Sequence, residues 1–464
     1  MFERFRRLFQ RKFVRDTLIL QVSKLSITAL GMMSWAIVPM ALGPQDYGIW
    51  GLAQSFLSLV LILDLTSLVT STSTLLGAAI GAKDEPQILD LLSLFLKVQW
   101  LKGLVFIGLM FIIGPVVAGM LYQQALPFSM ALSLDYAALS GITQTGNPQI
   151  GLLAALLALT MLFDPAYEGV RLALQARRSM RQMAILQNLN QLVLTLSMVI
   201  AVLIRPEPLT LVYSRIAYAA LMAVIAVLMY QRVRVDGAVD YPPLGAILRR
   251  AVTVRYSHWR FGMALALDKN ISNLYPHLPF QFVGIFAGEA AAGYLQLAHK
   301  GILQAGIFTS AIFENMQAAI PLWVGQGDYQ RLSQNFMRVV GVLTLGSFIF
   351  YGGLALTAPL LLPPLFGEQW TPVLPVLSAL VVYGIITTIG GVFGPLYRAF
   401  NLMRAMIIIK LFALGVMILT GFWLVPQWGA LGGAWMMNIV FLLSVGLTMI
   451  VVLRQLRYYV RHQS

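Results

Sequence analysis

From residue 14 to residue 454 the chain is a succession of apolar stretches, twelve in all, separated by short polar interruptions. The spans read as 16–40, 48–79, 89–118, 150–174, 182–204, 208–230, 258–283, 290–322, 334–359, 371–397, 405–425 and 430–453. A helix needs about 20 apolar residues to cross a hydrocarbon core of roughly 30 Å, and every stretch reaches that length. Hydrocarbon offers no partner to a backbone N–H or C=O, so a spanning segment must be a helix or a strand of a closed barrel. The apolar runs are continuous rather than alternating, which excludes the barrel. Composition agrees: 59% of residues are hydrophobic and 11% charged, against about 25% charged in a soluble domain. The expectation is an all-α polytopic membrane protein with about twelve transmembrane helices. The first stretch is too long for a cleaved signal sequence and no A-x-A-like site follows it, so it counts as a span.

The net charge of +14 is a topology signal, with no nucleic-acid partner implied. Alternate polar interruptions carry the basic residues: Arg4, Arg6, Arg7, Arg11, Lys12 and Arg15; Lys83; Arg177, Arg178 and Arg181; Arg232, Arg234, Arg249, Arg250 and Arg255; then Arg331, Arg398, Arg404, Arg454, Arg457 and Arg461. The opposite interruptions contain one basic residue, Arg205. The positive-inside rule then places both termini in the cytoplasm. Trp50, Trp259, Trp323, Trp370, Trp423 and Trp428 fall near span ends, where indoles favour the interface.

An internal repeat organises the spans. ALGPQDYGIWGLAQS (Ala41–Ser55) aligns with FAGEAAAGYLQLAHK (Phe286–Lys300) at a constant offset of 245, matching Gly43 with Gly288, Gly48 with Gly293 and Leu52 with Leu297. The same offset pairs Lys24 with Lys269, and Arg171 and Arg177 pair with Arg398 and Arg404 at an offset of 227. The chain therefore reads as two six-helix lobes, 1–230 and 258–464, joined by a cytoplasmic linker, 231–257. An even number of spans per repeat gives the lobes the same orientation, related by an axis along the membrane normal. Parallel lobes of this kind suit alternating access.

Familiar catalytic chemistry finds no foothold. Cysteine is absent, and His258, His277, His299 and His462 are the only histidines. No HExxH, GxxxxGK[ST] or GxSxG pattern occurs. What remains is a set of ionisable residues inside the spans: Lys24, Asp64, Lys97, Lys102, Asp164, Glu168, Arg171, Arg215, Asp268, Lys269, Lys300, Glu314 and Lys410. Each costs about 2.5–3.5 kcal/mol on insertion scales and normally faces protein or water. Eight are cations and five are anions, a surplus that invites an anionic ligand. Asp164, Glu168 and Arg171, at i, i+4 and i+7, favour pairing among themselves on one helix, and Arg215 and Lys97 favour snorkelling towards water. Lys24, Lys269 and Lys300, joined by Lys102, are the expected substrate-binding lysines of one central cationic cavity. Asp64 and Asp268 are their charge partners or coupling-ion sites. The competing account of the same residues is a buried salt-bridge network that clips the lobes together.

The G-x4-G turn of ALGPQDYGIWGLAQS, its partner GEAAAGYLQLAHK, the run PLWVGQGDYQRL, the external LLPPLFGEQWTPVLPVLSAL and the late GALGGAWMMN resemble the polysaccharide repeat-unit flippases. These form the Wzx-like branch of the multidrug/oligosaccharidyl-lipid/polysaccharide (MOP) superfamily, and the resemblance runs from the first span to the twelfth. It implies a MATE-like fold and transfer of polyprenyl-diphosphate-linked oligosaccharides from the cytoplasmic to the outer leaflet of a bacterial inner membrane. Membrane lipids, a coupling H+ or Na+ and the polysaccharide polymerase machinery are the implied partners, with no cofactor or metal and no enzymatic activity. Two other readings stay open. One is a drug or metabolite antiporter of the same superfamily, whose cavity should be acidic and aromatic. The other is a membrane enzyme acting on lipid-linked glycans, for which the loop from Leu121 to Gln149 offers only Asp135 as an ionisable group.

Overall fold

The computed structural model of the protein describes residues 12–61, 82–122, 149–177, 179–232, 241–254, 259–305, 329–400 and 402–461, with positions 72, 75, 76, 79, 80, 316, 320 and 324 between them. Asp64, Glu314 and the loop residues 123–148 lie outside the described residues, as do the side chains of Asp268 and Lys269.

Among the described residues the chain is built of helices: α1 (Lys12–Val60), α2 (Glu85–Leu121), α3 (Gln149–Ala158), α4 (Asp164–Ala176), α5 (Met180–Ile204), α6 (Pro208–Arg232), α7 (Leu244–Thr253), α8 (Trp259–Ala287), α9 (Glu289–Ala305), α10 (Tyr329–Phe366), α11 (Val373–Gly391), α12 (Phe393–Ala399) and α13 (Met403–Arg461). Two of them are double, kinked at non-helical Gly43 and Gly429. Counting α1 and α13 twice and taking α3–α4 and α11–α12 as single bent spans, the helical segments fall on the twelve apolar runs, with α7 left over. The protein is thus an all-α, multi-pass membrane protein. Among the described residues seven helices, or eight with the bent pair α3–α4, are long and apolar enough to cross a membrane. Their outer faces show why lipid must be the solvent. Ile112, Leu203, Leu356, Leu360 and Leu419 are each at least 72% exposed, a loss of burial that water would penalise by about 1.5–3 kcal/mol per side chain.

The chain divides into two compact units, one of residues 1–41 and 56–273 and the other of 42–55 and 274–464. In the first, α2 packs on α3, α5 on α6, and α6 on α4, around Val170, Leu174, Leu186, Met222 and Ala226. Local signals explain α2: the Asp84 side chain accepts from the Gln87 N–H at 3.0 Å, and Pro86 and Glu85 fill the first turn, satisfying donors that a helix start leaves open.

The polar stretch between the two sequence halves contains a helix of its own. Amphipathic α7 buries Ile247 against Leu76, Ile88, Leu91 and Leu92, and its Arg250 forks onto Asp90 of α2. Lys97 ends on the same helix, donating from Nζ to the carbonyls of Val252 at 3.1 Å and Val254 at 3.0 Å. An ammonium at the carbonyl end of a helix meets both orphan acceptors and the negative pole of the macrodipole. Just before α7, Tyr241 donates to the Ala173 carbonyl at 2.6 Å, and the Arg177 guanidinium lies 3.4 Å from its ring centroid.

In the second unit α11 packs on α9, α10 and α13, and a core of Phe336, Phe393, Leu396, Val452 and Leu456 fills one end. The two turns of the sequence repeat meet here. Gly43 and Gly288 both hold a positive φ, 76° and 86°, which a side chain would strain. Five residues on, Gly48 and Gly293 let the turns approach backbone to backbone: a Cβ on Gly48 would overlap the Glu289 carbonyl oxygen, and one on Gly293 would overlap that of Pro44. Glu289 and Pro44 are themselves matched at the offset of 245, so the contact is reciprocal, as a pseudo-twofold interface requires. Trp50 and Trp370 are buried in this unit rather than placed at an interface. Tyr47 and Tyr294 both set their rings edge-on against Trp370.

Candidate functional site

The fourth apolar run is broken in its middle. Leu159–Leu162 tightens into a 3-10 turn, Phe163 ends it, and α4 restarts at Asp164-Pro165 after a bend of 46°. Proline explains the restart, because it has no N–H to continue the helix but suits a first turn. The Trp100 indole on α2 donates to the freed Leu162 carbonyl at 3.1 Å. Broken spans in transporters commonly line the place where a polar ligand is handled.

Charges gather at this break, all within the first unit. Asp164 is hydrogen-bonded by Thr160 and lies within electrostatic reach of Arg215, Glu168 and Lys102. One turn further, Glu168 pairs with Arg171, accepting from Nη2 at 2.6 Å and from Nε at 2.9 Å. On α6, Arg215 lies 5.1 Å from the Tyr218 ring centroid, and the Tyr218 hydroxyl donates to Asn190 of α5 at 2.6 Å. Lys102, Arg171 and Arg215 thus outnumber Asp164 and Glu168. Three positive charges against two negative, among the described residues at the break, suit a negatively charged group better than a cationic one.

Lys24 lies half-buried in the same unit, on a stretch of α1 tied to α5. Next to it, Asn188 donates to Ser23 Oγ at 2.6 Å, and Thr195 donates to the Leu30 carbonyl at 3.1 Å.

Lys300 belongs to the second unit, with Nζ 5.2 Å from the Tyr47 ring centroid. With the Gln296 amide oriented to satisfy both ends, it donates to the Tyr47 carbonyl and accepts from Lys300, each at 3.1 Å. Behind this lysine, buried His299 shares a 3.3 Å hydrogen bond with Tyr383 and meets Phe280 edge-on.

Of the six residues expected at the site, the structure places Lys102 within electrostatic reach of Asp164 and sets Lys300 near the Tyr47 ring. Thr160, Asn190, Tyr218 and Gln296 complete these groupings and went unnoticed in the sequence, although Pro165 directly after an intramembrane aspartate marks the break. Lys97, expected to snorkel, is anchored on α7. An apolar cavity of ≈ 220 Å³ beneath α7, lined by Phe95, Trp100, Val170 and Ile247 among others, offers an anion no partner among its described lining. Among the described residues no three His, Cys, Asp or Glu side chains are grouped to hold a metal ion.

Residues 128–375, just over half of the chain, match the family described as polysaccharide biosynthesis protein. The chain belongs to that family. It is 26% identical over 166 residues to the lipopolysaccharide biosynthesis protein WzxC of Escherichia coli (strain K12), covering 34% of this chain and 33% of that protein. To the amylovoran biosynthesis protein AmsL of Erwinia amylovora it is 24% identical over 182 residues, covering 37% of this chain and 45% of AmsL. Each match therefore spans less than half of the relative's length. In fold it is similar to an inward-facing multidrug resistance MATE family transporter of the MOP superfamily, with a TM-score of 0.70 over 96% of this chain and 100% of that one at 12% identity. The lipid II flippase MurJ matches with a TM-score of 0.61 over 95% of this chain and 87% of its own at 10% identity. At such identities the likeness concerns the fold, and it is the MOP fold.

Proposed function

We propose that this member of the polysaccharide biosynthesis family is a flippase. It moves polyprenyl-diphosphate-linked oligosaccharide repeat units from the cytoplasmic to the outer leaflet of the bacterial inner membrane by alternating access, for surface polysaccharide assembly. The observation that carries the reading is the cluster at the broken span, where Lys102, Arg171 and Arg215 gather with Asp164 and Glu168 in a membrane protein of this family. Lysine and arginine meet a diphosphate through charge and directed N–H donors, while the lipid tail never has to leave hydrocarbon. Lys24, Lys102, Lys269 and Lys300 form the cationic path for the diphosphate, in two lobes that alternate in access. Asp64 and Asp268 serve as charge partners or as sites of a coupling H+ or Na+. Both termini are cytoplasmic, the polysaccharide polymerase machinery takes the product, and no covalent chemistry on the glycan is involved.

The test is purified protein in vesicles loaded with a polyprenyl-diphosphate oligosaccharide, read by lectin access to the glycan. Protein-dependent transfer supports the reading. Efflux of cationic dyes without glycan transfer identifies the drug antiporter instead, and glycan elongation or cleavage identifies the enzyme.

A further inference from the structure

The last helix carries a basic face that nothing described so far uses. Beyond Gly429, α13 runs on from Ala430 to Arg461, about 48 Å at 1.5 Å per residue. About 20 residues suffice for the hydrocarbon core, so Met449, Ile450 and Leu453 stand near its edge and Arg454, Arg457 and Arg461 in and beyond the headgroup layer. At 100° per residue the three arginines fall within about 60° of one another. They share one open face of α13 with Met449, Ile450, Leu453 and Tyr458. The opposite face of the same turns is anchored: Val452 and Leu456 are buried in the core of the second unit, and Tyr459 stacks on Tyr329 at 4.7 Å. The arginine face is therefore held outward by packing.

Charge is the second observation. No aspartate or glutamate follows Glu368 in the chain, whereas Arg398, Arg404, Lys410, Arg454, Arg457 and Arg461 do. Among the described residues neither Arg454 nor Arg457 has a carboxylate partner.

We propose that this face binds an anionic phospholipid of the surrounding bilayer, its phosphate held by Arg454 and Arg457 and its acyl chains laid along Met449, Ile450 and Leu453. Two guanidinium forks one turn apart match the tetrahedral oxygens of a phosphate better than point charges do. The apolar part of this face, Met449, Ile450 and Leu453, continues towards hydrocarbon, which selects a lipid over a free anion. A lipid held there fastens the end of α13 to the bilayer whatever the protein transports.

The experiment titrates purified full-length protein in detergent with phosphatidylglycerol and, separately, phosphatidylcholine, counting bound lipid by native mass spectrometry. Phosphatidylglycerol binds in preference, and R454Q/R457Q weakens it about 30-fold, each interfacial basic residue being worth about a fivefold factor. R454K/R457K keeps the charge but loses the forked donors, so its affinity falls between those of wild type and R454Q/R457Q, and R249Q, at an exposed position of α7, leaves it unchanged. The proposal is overturned by equal affinity for the two lipids, by unaltered binding in R454Q/R457Q, or by an equal loss in R249Q. It is also overturned if a polyprenyl diphosphate displaces phosphatidylglycerol at equimolar concentration, since the face would then serve the transported lipid.

Discussion

Replacing Gly48 by alanine tests the reciprocal contact of the two repeat turns. The added Cβ overlaps the Glu289 carbonyl oxygen and stands 2.6 Å from the carbonyl carbon, with the Gly293 nitrogen at 3.0 Å. These are backbone atoms, which no rotamer change can move aside. Restoring ordinary contact requires the two turns to part by roughly 1.5 Å, and overpacking of this kind costs about 1–3 kcal/mol or more. At 3 kcal/mol the folding equilibrium shifts by about two orders of magnitude. Gly293→Ala meets the same obstacle from the other side, with the Pro44 carbonyl carbon at 3.1 Å and the Gly48 nitrogen at 3.2 Å, so its cost should agree with that of Gly48→Ala within about 1 kcal/mol. Gly415→Ala on α13 is the control, because nothing lies within 4 Å of its added Cβ and alanine gains up to about 1 kcal/mol in a helix interior. Equilibrium unfolding in mixed micelles measures all three. Wild-type stability in Gly48→Ala, or a cost confined to one of the two matched glycines, would refute the paired-turn reasoning.

Lys97→Met removes two hydrogen bonds from the carbonyl end of α7 and should cost about 1–2 kcal/mol, seen as faster amide exchange in α7 at unchanged exchange in α5. Burial raises the phenol of Tyr241 above its ordinary value, with the Arg177 cation offsetting part of the rise. A raised folded pKa means stability is intact below the unfolded value near 10 and falls as pH climbs past it, by up to about 1.4 kcal/mol per pH unit. Unfolding measured between pH 9 and pH 11 should therefore decline less steeply in Tyr241→Phe than in wild type. Pro165→Ala lets α3 and α4 join into one helix, so glycan transfer should drop at least tenfold while protein abundance holds; undiminished transfer would remove the broken span from the mechanism.

The spans were legible because lipid imposes one rule on every crossing segment, and the turn glycines because Gly43 and Gly288 share a register that only their backbone explains. The break at Asp164 was marked only by Pro165, and a proline in the first turn of a new helix and one that merely kinks a continuous apolar run look alike in sequence. Nor was the burial of Trp50 and Trp370, because an indole near a span end satisfies the interface pattern whether it faces lipid or a neighbouring turn. Lys97 shows the limit most plainly. Its depth in α2 follows from hydropathy, but its acceptors belong to a helix 155 residues away, brought there by tertiary packing. The salt bridge of Glu168 with Arg171, by contrast, was set by spacing along one helix.

Selection of a diphosphate by surplus positive charge inside the spans, as proposed above, is open to direct measurement. Initial transfer rates should be measured in reconstituted vesicles for one oligosaccharide carried on polyprenyl diphosphate and on an uncharged polyprenyl tail, with wild type and Lys102→Ala. Fast transfer of the diphosphate substrate alone, reduced at least tenfold by Lys102→Ala, is the predicted result. Equal transfer of the charged and uncharged substrates, in either protein, would contradict it.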